Sequence, residues 1–96
     1  MTHEEIFKEA IKQWGSEAQI NQAVEECAEF IVAVNKLRRA QRWGNGEQVS
    51  SSVEDLVGEI ADVINCMEQM KMMFGKDETD AKIEFKMKRL KSRLGL

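Results

Sequence analysis

Residues 53–74, Val-Glu-Asp-Leu-Val-Gly-Glu-Ile-Ala-Asp-Val-Ile-Asn-Cys-Met-Glu-Gln-Met-Lys-Met-Met-Phe, decide the fold. Apolar residues recur at Val53, Leu56, Val57, Ile60, Ala61, Ile64, Met67, Met70 and Phe74, a spacing that only a helix gathers into stripes. Between Val53 and Met70 they cover nearly every side, and a helix of that kind is buried on more than one face. A four-helix chain of 96 residues struggles to cover such a helix alone, so a homodimer or homotetramer is expected.

The flanking segments read as three further helices. Thr2 with Glu5 forms a capping box ahead of Ile6, Phe7, Ala10, Ile11 and Trp14, and Gly15 is a natural stop. Ser16 then caps a long helix to about Arg42, with the apolar stripe Ile20, Ala23/Val24, Cys27, Ile31, Val34 and Leu37. Trp43-Gly44-Asn45-Gly46 breaks it, and Glu47 to Ser52 is expected to continue a polar loop, one of Ser50, Ser51 and Ser52 capping the third helix. That helix ends at Gly75. A last helix begins at Asp77 or Thr79 and carries Ile83, Met87, Leu90 and Leu94. The expected fold is a single all-α domain over residues 1–96, four-helix bundle-like and oligomeric.

Composition narrows the function classes. The chain has no proline, 43% hydrophobic and 32% charged residues, and a net charge of −3, a balance that favours a packed helical domain over a disordered one. That charge argues against nucleic acid as a partner. No apolar run approaches a membrane span, and Met1-Thr2-His3-Glu4-Glu5 lacks the basic and apolar regions of a signal peptide, so a cytoplasmic protein is expected. Cys27 and Cys66 lie mid-helix without metal or redox spacing and read as reduced core thiols.

The chemistry lies in two acidic clusters, Glu25-Glu26-Cys27-Ala28-Glu29 and Glu59-Ile60-Ala61-Asp62. Residues three apart share a helix face, so Glu26 pairs with Glu29 and Glu59 with Asp62. If the second and third helices are neighbours, the pairs face each other across a groove. No Lys or Arg occurs from Glu17 to Asn35 or from Glu47 to Met70, so nothing local neutralises them. The single His, at position 3, leaves carboxylate oxygens as the donors, a set suited to Mg²⁺, with Mn²⁺ as the alternative. The competing reading is the solvated face of an amphipathic helix. The segregation of the basic residues and the small neighbours Ala28, Gly58 and Ala61 weigh against it.

Glu-Glu-x-x-Glu at 25–29 followed by Glu-x-x-Asp at 59–62, on consecutive helices, resembles the signature of the MazG-like all-α nucleoside triphosphate pyrophosphohydrolases. The resemblance extends to Trp14-Gly15 before Gln19-Ile20, to Ala61-Asp62-Val63 through Glu68-Gln69-Met70, and to Lys86-x-x-Arg89-Leu90-Lys91-x-Arg93-Leu94. The interval between Glu29 and Glu59 is slightly long for the family. The resemblance implies Mg²⁺-dependent hydrolysis of a (d)NTP to (d)NMP and pyrophosphate, with Glu26, Glu29, Glu59 and Asp62 as metal ligands. Glu25, about 100° round the helix from Glu26, either tunes a ligand or takes the proton of the attacking water.

Lys82, Lys86, Arg89 and Arg93 form a basic stripe at spacings of four, three and four on the last helix. The resemblance assigns Lys86 and Arg89 to substrate phosphate, with Lys82 beside them; Lys88 and Lys91 read as solvated. Lys36, Arg38, Arg39 and Arg42 are explained by a helix C-terminus alone. Base recognition needs an apolar slot with a few polar groups. Trp14 is either a stacking surface or a core residue, and Asn65 either a substrate contact or a buried amide tying two helices. Gln19 and Asn21 are weaker candidates. The alternative class is a non-catalytic helical interaction or regulatory module, which accounts for the helices but not for the unneutralised carboxylates.

Overall fold

In the computed structural model, which describes all 96 residues, the chain is four helices and no strand: α1 (His3–Trp14), α2 (Ser16–Trp43), α3 (Gly46–Phe74) and α4 (Lys76–Arg93). The two glycines expected to stop helices do so in backbone conformations that other residues rarely adopt, Gly15 at φ 88° and Gly75 at φ 143°. The α1 capping box forms as expected, Glu5 N donating to Thr2 Oγ1 at 3.1 Å and Thr2 N to Glu5 Oε2 at 3.3 Å.

Three boundaries differ from expectation. The polar segment Glu47–Ser52 is helix rather than loop, because Asn45 starts α3 with its own capping box. Gln48 N donates to Asn45 Oδ1 at 2.9 Å and Asn45 N to Gln48 Oε1 at 3.0 Å, which leaves the serines inside the helix. At the start of α2, Gly15 occupies the cap and no side chain bonds the first turn, so Ser16 is not a cap. At the start of α4, Gly75 again occupies the cap, one turn ahead of Thr79, whose hydroxyl donates back to the Gly75 carbonyl.

Helices α2 and α3 form a long antiparallel hairpin, with α1 laid across both. Helix α4 packs against α3 alone, pinned by Lys71, which reaches Asp80 at 2.7 Å and Glu68 at 3.6 Å; Lys76 adds a 3.9 Å ion pair to Glu4. The hydrogen bond from Lys71 to Asp80 also pushes the Lys71 pKa up, so this joint stays charged through neutral pH.

The hairpin seam has a regular period. Among the residues withdrawn from solvent, Gln19, Ala23, Glu26, Phe30, Ala33, Leu37 and Ala40 on α2 and Val49, Ser52, Leu56, Glu59, Val63, Cys66 and Met70 on α3 form a regular series. Alternating steps of three and four are the pattern of a coiled-coil interface. Most of the stripe expected on α2 is withdrawn as well (Ile20, Ala23, Cys27, Val34 and Leu37), whereas Val24 and Ile31 are 65% and 59% exposed. On α3, Val57, Ile60, Ile64 and Met67 form a second apolar face that stays 38–60% exposed.

Only four residues are buried: Gln19, Ala23, Ala33 and Cys66. The chain exposes 7572 Å², against about 5,600 Å² for a compact monomer of its mass. Its radius of gyration is 16.9 Å, against about 13 Å for a compact domain of similar length. Both excesses come from the hairpin's length and from α4, which is exposed at every residue from Ala81 onward.

The boundary of α3 is testable. Asn45→Ala should cost about 1 kcal/mol of unfolding free energy, the usual effect of removing a capping side chain, whereas Ser51→Ala should change it by less than about 0.5 kcal/mol. Urea denaturation of the two variants measures this, and the reverse ranking would restore the serines as the cap.

Candidate metal centre

Glu26 and Glu59 sit midway along the seam, at positions that the period gives to core side chains, and the antiparallel register sets them against each other. Glu29 follows Glu26 by three residues and reaches the same point. One carboxylate oxygen from each of Glu26, Glu29 and Glu59 lies within 4.8 Å of the others. These are the expected donors, drawn from both acidic clusters across the hairpin. Asp62 stands at the margin: it is exposed and outside that set, but close enough to repel Glu26 and Glu59. Glu25 is exposed, four residues before Glu29 on the same side of α2.

Partners are too few for this much charge. Glu26 Oε1 accepts a 2.7 Å hydrogen bond from Gln22 Nε2, but Glu26 Oε2 and Glu59 Oε2 are shut off from solvent and accept none. Lost hydration, and then the neighbouring carboxylates, raise the pKa of both Glu26 and Glu59. Three convergent oxygens with two buried and unpartnered fit a hard divalent cation, and they fit no cation of the chain, whose ion pairs all lie elsewhere. Burial also pushes the Cys66 thiol up, with Glu26 and Asp62 adding to the effect, which keeps it protonated.

One crevice adjoins this centre and a second lies apart from it. The first, of about 360 Å³, is lined by Glu29, Val32, Ala33, Lys36, Asp55 and Glu59. The other, of about 420 Å³, lies between α1 and α3 and brings together Trp14, Asn65, Phe7 and Gln69. Trp14 and Asn65, separate expectations from the sequence, thus share one cavity, and Trp14 is 67% exposed rather than a core residue. Gln69 was not picked out as a site residue, yet its buried Oε1 has no partner. Its helical position, seven residues after Asp62, was the available signal. Gln19 is buried in the seam, and Asn21 is exposed on the far side of α2 from it.

The basic stripe lies apart. Lys82, Lys86 and Arg89 are exposed on a helix that does not touch α2, so one chain does not bring them together with Glu26 and Glu29. No protein family, curated protein or solved structure matches the chain, and no helix is long and apolar enough to cross a membrane.

The raised carboxylates fix the sign of a pH effect. A folded state that holds protons more tightly than the unfolded chain is favoured at acidic pH, and the advantage fades as pH rises from the ordinary glutamate value of 4.5 through the raised folded values. In chelator, Glu59→Gln should therefore gain stability over the parent protein, the difference growing between pH 5 and pH 8. Thermal melts across that range give the result; a variant less stable than the parent at pH 8 contradicts the electrostatic description.

Proposed function

We propose that the chain is a Mg²⁺-dependent nucleoside triphosphate pyrophosphohydrolase of the MazG-like all-α type, converting a (d)NTP to (d)NMP and pyrophosphate. The observation that carries the reading is the convergence of Glu26, Glu29 and Glu59, with two buried oxygens lacking partners, at the middle of a mostly apolar seam. A non-catalytic helical module gives no reason for carboxylates at core positions, where unpaired charge is costly.

The ligands are Glu26, Glu29 and Glu59, with Asp62 completing the set as the site fills. Mg²⁺ or Mn²⁺ held there offsets the charge of a triphosphate and acidifies water at neutral pH. In the reaction, the oxygen of water bonds to the α-phosphorus, the bridging oxygen leaves with pyrophosphate, and a carboxylate takes the proton of water. Glu25, exposed beside the centre, is free to take it. The base enters the crevice between α1 and α3, stacking on Trp14, with the Asn65 and Gln69 amides as hydrogen-bonding groups.

The assembly is a homodimer or homotetramer. The exposed apolar face of α3 and the unpacked stripe Ile83, Met87, Leu90 and Leu94 of α4 support this, since isolated chains rarely leave so much apolar surface contiguous. Assembly also provides the route by which Lys82, Lys86 and Arg89 reach substrate, from the α4 of another copy.

A panel of NTPs and dNTPs assayed for pyrophosphate release tests the activity. Turnover of at least one, dependent on Mg²⁺, is expected, and Glu59→Gln should lower it by more than about 100-fold, beyond the loss of an outer-shell partner. Sedimentation of the same sample should give twice or four times the chain mass. No pyrophosphate from any nucleotide, or a fully active Glu59→Gln protein, would leave the helical module as the better reading.

A further inference from the structure

Lys36 is the one cation lining the cavity shared by Glu29, Asp55 and Glu59. It also lines the adjoining cavity of about 600 Å³ toward the α2–α3 turn, with Arg39, Trp43, Gln48 and Ser51. One groove between the helices thus runs from the carboxylate centre to the turn, and Lys36 stands where the two cavities meet. Lys36 follows Glu29 by seven residues, two helical turns or about 10.5 Å along the same side of α2.

Neither Lys36 nor Arg39 is satisfied within the chain. The ion pairs belong to Lys8, Lys71 and Lys76, and no carboxylate lies within 4.0 Å of Lys36 although three share its cavity. The helix dipole does not account for them either. That field falls off within the last turn, and both residues precede it in a helix that ends at Trp43. Arg42, which is in the last turn, lies 4.8 Å from the Trp43 ring and is engaged there.

We infer that Lys36 and Arg39 form the binding site for the terminal phosphates of the substrate, and so for the leaving pyrophosphate, fixing the direction in which the triphosphate lies along the hairpin. This rests on the proposed hydrolase reading. The cavity of Lys36 opens from the carboxylate centre toward the turn, so an α-phosphate at the centre has its β- and γ-phosphates on the turn side. The alternating charges of the groove match that order. Carboxylates hold the cations that face the α-phosphate, and bare ammonium and guanidinium groups meet the oxygens beyond it. After the bond breaks, the same two residues retain pyrophosphate on the turn side while the nucleoside monophosphate remains at the carboxylate centre. Lys86 and Arg89 are then auxiliary contacts.

Calorimetric titration of the full-length oligomer with Mn²⁺ alone, with inorganic pyrophosphate in Mn²⁺, and with nucleoside monophosphate in Mn²⁺ tests this in three arms. In the Lys36→Gln/Arg39→Gln variant, pyrophosphate affinity should fall by at least tenfold, while Mn²⁺ and monophosphate affinities stay within about twofold. Lys36→Arg, which keeps the charge, should retain most of the binding. Pyrophosphate that binds parent and variant equally, or does not bind the parent, overturns the assignment; so does a loss confined to the monophosphate, which would reverse the substrate. Failure of the hydrolase reading looks different: Mn²⁺ does not bind, whereas Lys36 and Arg39 still govern any binding of pyrophosphate.

Discussion

Two glutamates facing each other inside a coiled-coil seam are the constraint on which the rest of this structure depends. Glu26 and Glu59 occupy positions where the period of three and four calls for apolar side chains, and one oxygen of each is sealed without a partner. Apolar residues there would lengthen the core. Two carboxylates instead weaken the metal-free hairpin and hold their protons above the ordinary range. Glu29 joins them and Asp62 flanks them, so the charge accumulates where the hairpin is otherwise most regular. This concentration of negative charge at the centre of the main interface is what the proposed cation would neutralise.

The surroundings of the centre follow from the same hairpin. Because α2 and α3 are long and antiparallel, a groove runs along their seam to the turn, where Lys36, Arg39 and Trp43 line it; a separate crevice between α1 and α3 holds Trp14, Asn65 and Gln69. A nucleoside triphosphate has the same asymmetry, an aromatic base at one end and anionic oxygens at the other. The length that creates the groove also leaves the chain without a closed core, which is why a second copy enters the proposal.

Much of this was legible in the sequence, and the failures have physical causes. Gly15 and Gly75 read correctly because each interrupts a clear helical period. The segment 47–52 was misread as loop because Gly-Asn-Gly followed by polar residues hides a reciprocal Asn45–Gln48 cap. The acidic pairs were legible because helical spacing alone puts Glu26 with Glu29. The inner face of α2 was legible in part: Ile20, Ala23, Cys27, Val34 and Leu37 are withdrawn as the spacing implies, but hydropathy does not foretell that Gln19 and Ala33 turn inward while Val24 and Ile31 stay outside. Lys36 was taken for a helix-end charge because its proximity to Asp55 and Glu59 arises only when α3 folds back.

The most direct measurement is anomalous diffraction from crystals grown with Mn²⁺ at neutral pH. The account predicts at least one peak between α2 and α3, about 2.0–2.3 Å from oxygens of Glu26, Glu29 and Glu59, with Asp62 drawn toward it. Peaks confined to exposed acids elsewhere, with Glu26 and Glu59 still facing each other around an empty centre, would contradict it.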